Sequence, residues 1–110
     1  MSFRVGSGAR EDVAEIAVYM DSRTSGRGDQ FIVAIEQAYA AIGADPRSQA
    51  PADDGPRGLE TRQHLISGFQ YRIVFAIVNE DVVVLSVAHV HRKPGHWRPR
   101  LRTDLDPETT

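Results

Sequence analysis

Two apolar runs, set close together, constrain this chain more than anything else in it. YRIVFAIV at 71–78 and VVVLSVAHV at 82–90 are rich in aromatic and β-branched residues. Such residues suit a pleated, half-buried surface. Only Asn79, Glu80 and Asp81 lie between the runs, and Asn and Asp tolerate the backbone geometry of turns. The pair reads as a β-hairpin, one strand over Tyr71–Val78 and the other from Val82 to about Val90. The Val-Val-Val-Leu opening of the second strand is too apolar for a solvated edge, which places it inside a sheet. An isolated hairpin is marginal in water, so the rest of the chain must cover this one.

Phe3-Arg4-Val5 can form a short edge strand, ended by Gly6 and Gly8. Residues 9–21 read as a helix, with Val13, Ile16, Ala17 and Met20 on one stripe. Ser7 is a possible N-cap, and Glu11 and Asp12 sit where the helix dipole favours negative charge. After the polar connection SRTSGRG, a second helix spans about 28–42, with Phe31, Ile35, Ala38 and Ile42 as its stripe and Gly43 as C-cap. A short loop makes the two helices an antiparallel hairpin. The segment 44–58 holds three prolines and two glycines and reads as an extended connection. Leu59–Ile66 reads as a strand. Glu60, Arg62, His64 and Ile66 fall on one side of it, and Thr61, Gln63 and Leu65 on the other.

The order is strand, helix, helix, then three strands and a basic tail. This predicts an α+β fold: a mainly antiparallel sheet with an N-terminal helical hairpin on one face. One domain is expected over 1–102, with a polar C-terminal tail over 103–110. No further long helix is evident, so the other sheet face is expected to be open or covered by a partner. In strand 71–78 the bulkier set Tyr71, Ile73, Phe75 and Ile77 is assigned to the helix side, leaving Arg72 on the open face. In strand 82–90 the bulkier set is Val83, Leu85 and Val87, against Val82, Val84, Ser86 and Ala88. Strict parity places His89 and His91 with the bulky set unless a bulge re-aims them.

Charge is unevenly spread. Residues 1–60 hold six basic and ten acidic side chains, whereas residues 61–102 hold seven basic and two acidic. A basic second half points to an anionic partner, nucleic acid or an acidic protein segment. The chain has no cysteine, which excludes disulfides and Cys-based zinc sites. With no signal-peptide core or membrane-length apolar run, a cytoplasmic location is expected.

Arg72, inside an apolar strand, is either a fixed guanidinium for phosphate or developing negative charge, or an arginine paired across the sheet. Arg62 and His64 share a strand face and could line one concave surface with Arg72, the histidine moving protons near neutral pH. His89, His91 and His96 lack a cysteine or carboxylate companion, so no metal is expected. HRKPGHWRPRLR at 91–102 carries four Arg and one Lys around Trp97. Bases with an aromatic suit nucleic-acid contact. The alternative is a Trp that plugs the core edge among solvated arginines.

The order of elements, AREDVAEIAVYM, a second amphipathic helix ending near DPRS, the pair YRIVF and VVVLSVAHVHR, and the late RKPGHW together resemble the RelE/ParE superfamily of toxins from type II toxin–antitoxin systems. The resemblance covers about residues 3–100. It implies growth inhibition, plasmid stabilisation, no cofactor, and a cognate antitoxin encoded by the adjacent gene. It also implies assembly through that antitoxin. RelE-like members cleave mRNA in the ribosome with basic residues on the open sheet face and a late aromatic or histidine. ParE-like members share the fold, act on DNA gyrase and lack the nuclease set. By position, Arg72 matches the arginine of the superfamily's YR motif. Arg62 and His64 fall near paired lysines, Arg92 or His91 matches a late basic residue, and Trp97 stands where RelE-like members have a catalytic tyrosine. An indole has no ionisable hydroxyl. The resemblance leaves gyrase and ribosome-bound mRNA both open as targets. A relative that only binds protein or nucleic acid is the alternative.

Overall fold

The helical stripes and the hairpin expected from periodicity are the two layers of one core. The computed structural model describes residues 2–105. Its elements are β1 (Phe3–Val5), α1 (Ser7–Arg23), α2 (Arg27–Ala44), β2 (Ala50–Pro51), β3 (Glu60–Ile66), β4 (Tyr71–Val78), β5 (Asp81–His89) and α3 (Leu101–Asp104). Short 3-10 turns lie at Pro46–Ser48 and Arg98–Arg100. The sheet order is β1-β5-β4-β3-β2. β1 runs parallel to β5, and every other pairing is antiparallel. The α+β fold with an N-terminal helical pair on a mainly antiparallel sheet is as expected. Among the described residues no helix is long and apolar enough to cross a membrane.

Phe31, Ile35, Ala38 and Ile42 of α2 are all buried. They meet Ile73, Phe75 and Ile77 of β4, the set assigned to the helix side by volume. Burying each of these large side chains stabilises the fold by roughly 1.5–3 kcal/mol. Gly28 sets how close the helices come. A Cβ there would lie 2.4 Å from the Ala17 carbonyl oxygen of α1, and its N–H donates to Asp21 Oδ1 (2.7 Å). Gly6, rather than Ser7, is the N-cap of α1, and α2 runs past Gly43 to a C-cap at Asp45. Asn79 and Glu80 both adopt positive φ, as a tight two-residue hairpin turn requires.

Strand β5 breaks the expected alternation. Val74 pairs with Ser86, but Phe75 pairs with Val84, so Leu85 is an extra residue opposite the β4 step. This is a β-bulge, which shifts the facing of all that follows. Val82, Val84 and Val87 therefore face the helices, whereas Val83 and Leu85 belong to a second cluster on the far face. Strict parity would have grouped Val83, Leu85 and Val87. Past Val84, where β1 no longer pairs with β5, backbone groups of β5 are satisfied from both layers. Val87 N–H donates to Asp12 Oδ2 of α1 (3.0 Å), and Arg100 Nη1 donates to the Leu85 carbonyl (2.9 Å). Asp12 and Arg100 also pair bidentately, at 2.7 and 2.9 Å.

The far face is largely covered, and Leu65, 63% exposed opposite Arg72, marks the part that is not. The chain's own C-terminal segment and the 50–59 connection cover the rest. Trp97 is fully buried there, with Ala52, Val74, Ala76, Val83 and Leu85. Leu59, Val78, Leu101 and Leu105 pack around them. A 41% apolar chain has enough side chains for two covers, and the second is built from short turns that carry no helical periodicity. Of the polar tail expected over 103–110, residues 103–105 are among those described. Thr103 and Asp104 lie in α3 and Asp104 is buried. Residues 106–110 of that tail lie outside the described residues.

Candidate functional site

Arg72 projects to the far face, as volume predicted, but it is not free. Its Nη1 and Nη2 reach the two carboxylate oxygens of Asp54, and Nη1 also donates to Gln63 Oε1 (3.0 Å). The side chains of Arg72 and Asp54 are 13% and 9% exposed, so this pair sits largely out of solvent. Asp54 Oδ2 takes two further donors, Gly95 N–H (2.9 Å) and the Trp97 indole N–H (3.0 Å). Arg98 Nε donates to the Asp54 carbonyl (2.8 Å). Burial pushes the Asp54 carboxyl up. The donors from Arg72, Gly95 and Trp97 outweigh it and hold the group well below the usual carboxylate range. One carboxylate thus ties β4, the 52–58 loop and the C-terminal cover together.

Beside this junction is a surface cleft of about 490 Å³ on the far face, with Gln63, Leu65, Arg72, Val90, Arg92 and Asp53 in its lining. Arg72 and Arg92 meet there, one anchored and one exposed. No histidine is among its lining residues, so the imidazole that a proton transfer near neutral pH would call on is missing from it.

The other expected residues are elsewhere. In an antiparallel sheet, directly opposed residues share a face. Arg62 is opposite Phe75 and His64 opposite Ile73, so both lie on the helix side, away from Arg72. They do not line one surface with it, because β3 enters the sheet with the opposite parity. Arg62 pairs with Glu60 (3.0 Å) and donates to the Gln49 carbonyl (2.7 Å), while His64 Nδ1 contacts Gln49 Oε1 at 2.8 Å. Burial lowers the His64 pKa. His91 is exposed and its backbone N–H donates to His89 Nδ1 (3.1 Å). Trp97 is inside and presents no face to a nucleobase. His96 folds back onto the cover, with Nε2 3.3 Å from the buried Ser86 hydroxyl and Nδ1 3.1 Å from the Lys93 carbonyl. Burial, the largest cause, lowers its pKa. Among the described residues no group of three or more His, Asp or Glu is placed to hold a metal ion.

The family model for the ParE toxin of the type II toxin–antitoxin system parDE matches residues 4–94. The chain belongs to the ParE toxin family. A solved structure described as the chromosomal ParDE TA system from P. aeruginosa is similar to it, with a TM-score of 0.69 at 12% identity. The match covers 81% of this chain and 95% of that one. At that identity the likeness is one of fold. Comparison with curated protein sequences gives no match. In this ParE toxin the residues that sequence reasoning missed are the acceptors: Asp54, Gln49 and Asp12. Asp54 lies in ADDGPRG, a run whose composition signals only a loop. A lone arginine in an apolar strand calls for a carboxylate, and that was the available signal.

Proposed function

We propose that this ParE toxin arrests growth by acting on DNA gyrase, without cutting RNA, and that a cognate antitoxin encoded by the adjacent gene neutralises it by direct binding. It works in the cytoplasm, as a single domain over 1–102, and assembles further through its antitoxin. The observation that carries the choice of target is a far face largely covered by the chain itself, with its arginine ion-paired. A RelE-like nuclease needs its basic set on an open sheet face, whereas here Trp97 fills much of that face and Asp54 engages Arg72 beside the part left open. The parDE family and the ParDE fold support the antitoxin. Target action is then binding rather than bond cleavage, and the chain is not an enzyme.

The test is expression of the chain alone in a bacterium, with growth, DNA damage response and RNA ends followed together. Arrest with broken DNA, uncut messages and rescue by the neighbouring gene is expected. Purified protein should block gyrase supercoiling in the absence of ribosomes. His64→Ala and His91→Ala remove the groups a nuclease would use for proton transfer, and both variants should remain toxic. Cut messages in the arrested cells, or loss of toxicity in either folded variant, would reverse the choice of target. Harmless expression would point to a relative that only binds. Arg72→Ala does not discriminate, because it strips Asp54 of its main partner and loosens the cover.

A further inference from the structure

The two covers of the sheet carry opposite charge on their outer surfaces. On the helical pair, Glu11, Glu15, Asp21, Asp29 and Glu36 are exposed, with Arg10 and Arg23 the exposed cations among the described residues. On the far cover, Arg57, Arg92, Lys93, Arg98 and Arg102 are exposed. They lie on two segments, 52–58 and 91–103, that meet at Asp54 through the Gly95, Trp97 and Arg98 contacts. Asp53 is the one exposed acid on these segments among the described residues, since Asp54 is consumed by Arg72. The side chains of Arg57, Arg92, Lys93 and Arg102 form no ion pair there among the described residues.

We infer that the outer surface of this C-terminal cover binds the phosphate backbone of a nucleic-acid duplex, with these five cations as the phosphate contacts. The formal net charge is −2, so attraction to a polyanion requires a segregated face rather than overall charge, and the structure supplies one. Two observations choose the partner. Of the exposed large hydrophobic side chains, Phe3, Val18, Tyr19 and Val33 lie on β1 and the helical pair, while Leu65 and Val90 line the cleft beside Arg92, at one edge of the cationic segments. A protein partner would use such side chains as anchors, and only that one edge offers them. The aromatic of the basic run, Trp97, is buried, so the stacking platform that single strands require is absent. What remains is guanidinium and ammonium groups, which suit phosphate oxygens. The surface is independent of the target proposed above, since a ParE toxin with another target would still carry it.

The test measures binding of the full chain to a 20-base-pair DNA duplex, the matching RNA duplex and a single strand, by anisotropy across a salt series. Five phosphate contacts give a log–log salt slope of about −4.5, so a fourfold rise in salt lowers affinity about 500-fold. The triple variant Arg57→Gln, Arg92→Gln, Lys93→Gln leaves two contacts and a slope of about −1.8, so the same salt step costs only about 12-fold. Arg10→Gln with Arg23→Gln, on the helical cover, should leave the slope unchanged. The ratio of DNA to RNA duplex affinity identifies the source of the phosphate. The inference is overturned by no duplex binding at low salt, by tighter binding of the single strand, by equal loss in the helical-cover variant, or by polyglutamate of equal charge binding more tightly than the duplex. Unchanged Trp97 fluorescence in each variant shows that the fold is intact.

Discussion

The helix-side cover and the far-side cover enclose the same sheet by different physics. On the helix side, α2 contributes a periodic stripe, and Phe31, Ile35 and Ile42 meet Ile73, Phe75 and Ile77 over a broad apolar contact. On the far side, one large aromatic, Trp97, is seated among alanine, valine and leucine side chains, and directional bonds to Asp54 and Asp12 hold the short turns in place. Apolar area is non-directional and tolerant of small shifts. A buried ion pair is not, because losing either partner strands the other charge. The difference teaches that a face can be closed without a helix if the connection carries a correctly placed carboxylate.

The comparison can be broken most forcefully at Trp97. Trp97→Ala should lower unfolding free energy by about 3–5 kcal/mol in a denaturant titration, through the cavity and the lost Asp54 donor. Next in size is Asp54→Ala, expected to cost about 3 kcal/mol because it leaves Arg72 buried and unpaired. The double variant Asp54→Ala with Arg72→Leu should recover part of that loss. A double variant no better than the single would mean that the pair is not what holds this cover. On the helix side, Gly28→Ala should cost about 1–3 kcal/mol, since the new methyl meets a backbone carbonyl rather than a movable side chain.

Titration sharpens the contrast, with opposite signs. Asp54 has a lowered pKa in the folded state, so the unfolded chain takes up protons first on acidification. Its contribution is present above about pH 4 and is lost as pH falls through the lower folded value. Fluorescence of Trp97, the one tryptophan, should report that loss, and Asp54→Asn should remove it. Tyr39, partly buried against the helix-side cluster, is pushed up to about 12, by burial first and the Asp12 charge second. Its contribution is present below about pH 10 and fades as pH rises through the folded value. Acid should therefore loosen the far cover and alkali the helix side. The smallest effect belongs to Val18→Ser, on the exposed surface of α1, which should stay within about 0.5 kcal/mol.

How much was legible follows the same divide. Periodicity announces the helix side, and so α1, α2 and the facing of Ile73, Phe75 and Ile77 could be read directly. The far cover is made of proline-containing turns and a four-residue helix, for which no period exists, so the face looked bare. Trp97 as a plug was one of the two readings its surroundings allowed, and the buried indole selects it. Arg72 could be placed on the correct face but not paired, because Asp54 is a loop residue 18 positions away. Arg62 and His64 failed to join it for a different reason. Sequence gives the alternation within a strand but not the parity with which two strands meet.

Leu85 shows how little chain is needed to redirect a strand. It is a spare letter, two residues set against one of β4. Excising it would restore unbroken alternation from Val82 to His89, with every partner across the hairpin and every inward or outward aim retained. Such a deletion would forfeit one leucine side chain and the carbonyl that Arg100 grips, and nothing of the reading frame of the sheet. In this fold the frame is carried by pairing, and a strand's letter count can change without changing what it says.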